Sequence, residues 1–115
     1  MAGQPDQKIL VFLTCSSLME AETIVKHLLR QRLIACGQVG THLHSYYRWQ
    51  GNEQEATEYP VTLKTSLRCF AEVEQAVRRL HSYEVPEILA VPVVAGSQSY
   101  LLWMDENLST ASGAS

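Results

Sequence analysis

Residues 81–87, His-Ser-Tyr-Glu-Val-Pro-Glu, concentrate an imidazole, a phenol and two carboxylates in one short segment. Imidazole nitrogen and carboxylate oxygen suit a borderline divalent cation, so His81 and Glu84 form a candidate metal-binding pair. Because Pro86 fixes its own φ and favours an extended Val85, we expect a rigid loop that aims these side chains. A structural alternative is equally supported, with His81 and Glu84 capping helix ends.

Four residues elsewhere have side chains suited to binding. Lys64, near the end of an alternating strand pattern, can present an ammonium to an anionic ligand or extend into water. Tyr47 and Trp49 fall on one face of a strand, where they suit stacking, a subunit interface or the edge of the core. Cys36 follows an apolar run, and we expect it to be packed. None of these residues defines a site by itself.

Two further metal-site patterns are incomplete. Cys15 has no second cysteine close to it, which argues against a paired-thiolate copper(I) site, and we expect it to be a semi-buried residue at a strand end. His42 and His44 lie two apart on a predicted strand and therefore face the same side. Because no third ligand has a fixed relation to them, we expect a solvated strand face.

The elements that position these side chains follow from apolar periodicity. Capping spacing at Ser17 and Glu20 predicts a helix over 18–32, and Ser66 is the expected cap of a second helix that ends near residue 80. The turn at Gln50-Gly51-Asn52 predicts a long hairpin. The remaining predicted elements are strands over 9–13, 58–64 and 88–94, one long strand over 33–49 that bends near Gly37 or Gly40, and a short helix over 100–108.

This order predicts an α+β, ferredoxin-like βαββαβ fold. It comprises an antiparallel sheet with a long central hairpin, two helices on one face and a C-terminal helix. We expect a single domain over residues 1–115, with an ordered core at about 9–108 and tails at 1–7 and 109–115. Exposed hairpin edges and a sheet face without helices would need covering, so we predict a homo-oligomer.

Composition and charge exclude several classes of protein. The chain has a net charge of −3, and its nine basic residues are dispersed, which argues against a nucleic-acid partner. The first apolar run, 9–13, is too short for a membrane span or a secretory signal. The three cysteines form no C-x-x-C pair and are expected to be free thiols. We therefore predict a cytoplasmic protein without membrane contact.

Sequence motifs of catalysis are absent. The chain has no Gly-rich phosphate loop, no G-x-S-x-G elbow and no H-E-x-x-H pattern. We therefore expect a protein that is not an enzyme and that needs no organic cofactor.

Five short segments together resemble one known family. They are Arg-Leu-Ile-Ala-Cys at 32–36, Tyr-Arg-Trp-Gln-Gly at 47–51, Leu-Lys-Thr at 63–65, Leu-His-Ser-Tyr-Glu-Val-Pro-Glu-Ile at 80–88 and Tyr-Leu-Leu-Trp at 100–103. In this order, over about residues 9–108, they resemble the CutA family of divalent-cation-tolerance proteins. The resemblance implies a ferredoxin-like homotrimer, similar in architecture to PII-type signalling proteins. It also implies hairpin arms that pair between subunits and a His81 loop that faces a pocket near a subunit interface.

The resemblance also implies a ligand site. Copper(II) or another divalent cation is the implied ligand, with His81 and Glu84 as the expected metal ligands. Leu13 and Leu80 stand where some bacterial relatives associated with copper have a cysteine and a histidine, so only His81 of that set is present. The expected pocket residues are Lys64, His81, Tyr83, Glu84, Glu87, Tyr47, Trp49, Cys36 and Trp103.

Two functions follow from these observations. The first is a non-enzymatic trimeric protein of the response to metal ions, with a divalent cation bound at the inter-subunit pocket. The alternative is a PII-like signalling or interaction module that binds an anionic small molecule or a partner protein, with indirect effects of metals.

Overall fold

Residues 3–110 of the 115-residue chain are described by a computed structural model. They form an α+β fold with an antiparallel sheet, as the sequence predicts. In chain order the elements are β1 (Lys8–Cys15), α1 (Leu18–Arg30), β2 (Cys36–Val39), β3 (Leu43–Trp49), β4 (Asn52–Ser66), a 3-10 turn (Leu67–Cys69), α2 (Phe70–Leu80), β5 (Leu89–Pro92) and α3 (Gln98–Glu106).

The long strand β4 organises the sheet. Its inner half lies between β1 and β2 in the order β2-β4-β1-β5, and its outer half pairs with β3. In register, Leu63 stands opposite Val11 of β1 and opposite Gly37 of β2, whereas Glu58 stands opposite Leu43 of β3. All these pairings are antiparallel, so one strand connects the core of the domain to a projecting two-stranded arm.

The predicted hairpin turn is confirmed, whereas the single bent strand predicted over 33–49 is two strands, β2 and β3, separated at residues 40–42. β3 and β4 are joined by Gln50 and Gly51, whose φ angles are 51° and 82°. Positive φ at both central residues is the signature of a type I′ turn, whose twist matches that of the two strands. Glycine adopts this conformation without steric penalty, which explains its place at the tip of the arm.

The core lies between one face of the sheet and the helices. Alternate residues of β1 and β4 are buried, including Val11 and Leu63, which are fully inaccessible. Helix α1 contributes Ile24 and Leu28 to the same cluster, and α2 contributes its own buried apolar stripe. Burying an aliphatic side chain of this size contributes about 1.5–3 kcal/mol to folding.

Of the two helix N-caps predicted from the sequence, one is confirmed and one is wrong. Ser17 caps α1 as predicted, since its hydroxyl accepts a hydrogen bond of 3.1 Å from the backbone N–H of Glu20. The cap expected at Ser66 is wrong, because a 3-10 turn intervenes and α2 begins at Phe70. The Ser66 hydroxyl is buried and has no hydrogen-bond partner among residues 3–110.

Helix α3 lies against the sheet face that was expected to carry no helix. Lys8 Nζ is 2.8 Å from a carboxylate oxygen of Asp105, and Lys64 Nζ is 3.4 Å from the hydroxyl of Tyr100. Both lysines occupy alternate positions opposite to the core-facing residues of their strands. Beside α3, large apolar side chains stay exposed, including Leu89, which is 59% accessible.

Part of the predicted N-terminal tail is attached to the fold. Arg68 Nη1 lies 2.7 Å from Asp6, and Gln7 donates a side-chain hydrogen bond to the Val93 carbonyl. Residues 1–2 and 111–115 of the two predicted tails lie outside the described residues.

Within residues 3–110, no helix combines the length and the apolar character that crossing a membrane requires.

Candidate functional site

A cavity of about 630 Å³ lies between the projecting hairpin and the loop that follows α2. The strand register explains which hairpin residues face it. Tyr47 and Trp49 stand opposite Gln54 and Asn52, and strand alternation places Glu58 on the same side as these two aromatic rings. Tyr46, Tyr83, Glu84 and Glu87 add further aromatic rings and carboxylates to the lining.

A hydrogen bond between Tyr83 and Glu58 joins the loop to the hairpin. The Tyr83 hydroxyl donates to Glu58 Oε2 at 2.7 Å, and Glu58 is only 6% exposed. Burial raises the pKa of the Tyr83 hydroxyl well above its usual range, and the bond to Glu58 raises this pKa further. Tyr83 therefore keeps its proton at neutral pH and holds the Glu58 carboxylate at the cavity wall.

Negative charge dominates the cavity. The lining includes the carboxylates of Glu58, Glu84 and Glu87, and no lysine or arginine of the described residues lines this cavity. Partial burial raises the pKa of Glu87 above its ordinary value of 4.5, and the nearby charge of Glu58 raises this pKa further. Such a site attracts cations and repels anions.

Replacing Glu87 with glutamine should therefore stabilise the subunit at neutral pH. The folded state favours the protonated carboxyl, so the ionised form opposes folding once the pH rises through the elevated pKa. We expect Glu87→Gln to gain less than about 1 kcal/mol, because solvent screens this exposed side chain. Thermal unfolding near neutrality and below pH 4.5 measures the gain, which should vanish at the acidic pH. An equal gain for Glu22→Gln on the exposed face of α1 would contradict the explanation.

The His81 imidazole is buried and both of its nitrogens are engaged. The backbone N–H of Tyr83 donates to Nδ1 at 3.0 Å, and Nε2 lies 2.7 Å from the carbonyl oxygen of Thr14. Because Nδ1 accepts, Nε2 carries the proton and donates it to that carbonyl. The backbone N–H of His81 also caps α2 by donating to the Val77 carbonyl. His81 thus joins the end of α2 to the end of β1, and it does not line the cavity.

Glu20 connects the same loop to the start of α1. Its Oε1 accepts from the backbone N–H of Ser16 at 3.1 Å, and its Oε2 accepts from the backbone N–H of Ser82 at 2.5 Å. Burial alone would raise the pKa of Glu20, but the hydrogen bonds from Ser82 and Ser16 and the nearby His81 hold it below its usual value. Glu20 is therefore ionised at neutral pH.

Cys15 lies beside these two residues. Its thiol is fully inaccessible, and burial, followed by the charges of Glu20 and Glu58, raises its pKa to about 12. The possible ligand atoms of Cys15, Glu20 and His81 all lie within 4.8 Å of one another. Among residues 3–110 no other group of three such side chains lies this close.

The structure separates the predicted pocket residues into two groups. Tyr47, Trp49, Tyr83, Glu84 and Glu87 line the cavity, with His81 directly behind it. The metal ligands predicted from sequence, His81 and Glu84, do not belong to one ligand group, since His81 instead adjoins Cys15 and Glu20.

The other three predicted residues lie near α3. Lys64 stands opposite Cys36 in the sheet, and its Nζ is 5.4 Å from the centre of the Tyr100 ring, which packs 5.3 Å from Trp103. Six positions of β4 separate Lys64 from Glu58, which corresponds to roughly 20 Å of strand. The fold of the chain therefore does not bring these three residues to the cavity.

The sequence did not indicate Glu58 or Glu20 as ligand candidates, and it argued against Cys15 as one half of a copper(I) site. Glu58 carried only a strand-alternation signal, Glu20 only a capping signal, and Cys15 was assigned to packing. The Ser17–Glu20 spacing did indicate a carboxylate with a local role, but nothing in the sequence pointed to its bond with Ser82.

Comparison with known proteins identifies the family. The sequence profile described as "CutA1 divalent ion tolerance protein" matches residues 9–107. The chain belongs to the CutA1 family. The divalent-cation tolerance protein CutA of Thermus thermophilus is 41% identical over 97 residues, which make up 84% of this chain and 94% of that protein.

Solved CutA1 structures agree with the fold. The Thermus thermophilus protein matches with a TM-score of 0.87 at 39% identity, covering 89% of this chain and 99% of that one. A CutA of Archaeoglobus fulgidus, described as a periplasmic divalent cation tolerance protein, matches with a TM-score of 0.86 at 37% identity, with the same coverage of both chains. The family resemblance read from the sequence is thus confirmed.

Proposed function

We propose that this CutA1-family chain is a non-enzymatic protein that binds a divalent cation in the acidic cavity and assembles as a trimer of ferredoxin-like subunits. The observation that carries the proposal is the convergence of Glu58, Glu84 and Glu87 on one cavity whose described lining has no lysine or arginine. Carboxylate oxygens are ligands for divalent cations, and copper(II) is the first candidate because a given site generally binds it more tightly than the other first-row divalent ions.

The charge of the cavity supports a cation over an anionic metabolite. Placing an anion beside Glu58, Glu84 and Glu87 would add like-charge repulsion without a balancing group from the described lining. The alternative is a PII-like module that binds an anionic ligand. It is supported by a group of residues at another place on the surface. Lys64, with Tyr100 and Trp103 beside it, offers an ammonium and aromatic surface away from the cavity. A thermal-shift screen separates the two, because a ligand selective for the folded state raises the melting temperature.

Removing one cavity carboxylate tests the cation site. We expect Glu84→Gln to weaken copper(II) affinity roughly tenfold or more, because charge-assisted contacts typically contribute ~1.5–3 kcal/mol. Isothermal titration of wild type and variant measures the change, and Glu22→Gln is the control, since it removes the same charge from the exposed face of α1. The cavity is not the site if both variants bind copper(II) as wild type does.

Exposed apolar surface supports assembly of several subunits. Large apolar residues outside the core include Leu89, Val94, Leu102 and Trp103, and Val94 is 94% exposed. The arm of β3 and β4 also has Tyr46, Tyr47 and Trp49 exposed, and an isolated two-stranded hairpin is only marginally stable in water. Burial against neighbouring copies would cover both surfaces.

Light scattering tests the assembly directly. We expect a mass of three subunits for the full chain at micromolar concentration, and a monomer mass would contradict the trimer. A cytoplasmic location, and the lack of membrane and nucleic-acid partners, complete the proposal as predictions from sequence.

A further inference from the structure

Three side chains with metal-ligand chemistry meet behind the cavity, and each comes from a different element. Cys15 is the last residue of β1, Glu20 lies in the first turn of α1, and His81 ends α2. Their thiol, carboxylate and imidazole ligand atoms lie within 4.8 Å of one another. A cluster held by three elements is fixed by the packing of the subunit, unlike a chance meeting of surface side chains.

The hydrogen bonds of His81 fix the tautomer and the orientation of its ring in the way that is usual for metal-binding histidines. Such histidines nearly always donate their second ring N–H to a backbone carbonyl or a carboxylate, which fixes the tautomer and the ring orientation. Here Nε2–H donates to the Thr14 carbonyl at 2.7 Å, so the lone pair lies on Nδ1. Nδ1 is 3.9 Å from Glu20 Oε2, and it currently accepts the backbone N–H of Tyr83.

We propose that Cys15, Glu20 and His81 form a second metal site, distinct from the acidic cavity, that takes Zn²⁺ or a comparable thiophilic divalent ion. Sulfur, nitrogen and carboxylate oxygen together are a ligand set typical of zinc. On binding, the Cys15 sulfur forms a bond to the metal and its proton leaves to solvent, while Nδ1 exchanges the Tyr83 N–H for the metal. No electron transfer and no further reactant are involved.

The distances require only a small contraction. Zinc bonds of about 2.0–2.3 Å in tetrahedral geometry place neighbouring ligand atoms roughly 3.3–3.8 Å apart. The most widely separated ligand atoms must therefore approach one another by roughly 1–1.5 Å from their present separations. The carboxylate of Glu20 accepts hydrogen bonds from the backbone N–H groups of Ser16 and Ser82, and its side chain is 12% exposed, whereas that of His81 is inaccessible. Glu20 is thus the side of the site through which an ion enters.

Because this site is buried and includes sulfur and nitrogen ligands, it should favour softer ions than the carboxylate-lined cavity does. The side chains of Cys15 and His81 are inaccessible, so an entering ion must lose its water. Mg²⁺ dehydrates reluctantly and prefers oxygen ligands, whereas thiolate and imidazole favour softer ions. We therefore expect Zn²⁺ to compete for this site in the presence of excess Mg²⁺.

Cobalt(II) titration of the full chain tests the proposal, because a thiolate–cobalt bond gives a charge-transfer band in the near ultraviolet. We expect the band in wild type and in Cys36→Ser, which removes the one partly exposed thiol. We expect its loss in Cys15→Ser, and we expect zinc, added last, to displace cobalt from wild type. Loss of the band in Cys36→Ser with retention in Cys15→Ser would overturn the proposal, as would a wild type without a band.

A second variant keeps the test valid if Cys15→Ser does not fold. Glu20→Gln preserves shape and one acceptor oxygen but removes the charge, and we expect at least a tenfold loss of zinc affinity with circular dichroism unchanged. Glu84→Gln should leave zinc affinity at this site unaltered. Copper binding that is sensitive to Glu84→Gln, together with zinc binding that is insensitive to both Cys15→Ser and Glu20→Gln, would refute this site and leave the proposed function intact.

Discussion

Replacing His81 with alanine should lower the free energy of unfolding by about 2–4 kcal/mol. The imidazole is buried, and its removal leaves a cavity and deprives both the Thr14 carbonyl and the Tyr83 N–H of their partners. A buried polar group without a partner costs about 1–3 kcal/mol, and the lost packing adds to this. Urea unfolding of the full chain measures the change, provided that the slope with denaturant is unaltered.

His44→Ala is the matched control for this variant. His44 is exposed in β3, so its removal should change stability by less than about 0.5 kcal/mol. Equal and small effects of the two substitutions would show that the buried hydrogen bonds of His81 contribute nothing measurable. If His81→Ala is as damaging as expected, loss of metal binding in that variant cannot identify a ligand. Variants of Cys15 and Glu20 are more informative for that purpose.

Replacing Leu63 with alanine should be at least as damaging, with an expected loss of about 3–5 kcal/mol. Leu63 is fully inaccessible in the central strand, where β1 and β2 flank it on both sides. Truncating such a residue removes its transfer free energy and leaves a cavity that rigid neighbouring strands cannot fill. Urea unfolding of the full chain again measures the loss.

Leu18→Ala is the control that separates the effect of burial from the effect of replacing leucine with alanine. Leu18 begins α1 and is 47% exposed, so the same truncation should cost less than about 1 kcal/mol. Comparable losses at both leucines would contradict the assignment of the core. Because the cavity residue Glu58 lies on the same strand as Leu63, a core defect should also weaken copper(II) binding in the cavity.

Local signals explain why so much of the fold was predictable. The Ser17 cap and the Gln50-Gly51 turn each depend on a few neighbouring residues, and both occur as predicted. The start of α2 was wrong because a hydroxyl at Ser66 satisfies the sequence rule for a cap without revealing the 3-10 turn that follows it. Sequence rules of this kind identify capable residues and do not decide the backbone path between them.

The site was less predictable because its contacts join distant parts of the chain. The polar loop after α2 was identified from its composition, but its partners Glu58 and Glu20 come from the hairpin and from α1. Those partners are set by strand register and by the packing of helices on the sheet, which one sequence does not disclose. For the same reason Lys64 was grouped with the loop, although it lies beside Tyr100.

The continuity of β4 has a consequence for how faithfully the site can form. A shift of β4 by one residue against β1 would turn Glu58 to the sheet face that packs against α1 and α2, and would turn Tyr59 to the opposite face. The same shift would move Leu63 out of the core and put Lys64 in its place, so the apolar burial that stabilises the fold would be lost as well. A chain with the wrong register at the cavity would therefore also lose its hydrophobic core. The stability of the core thus ensures that the Glu58 carboxylate reaches the cavity.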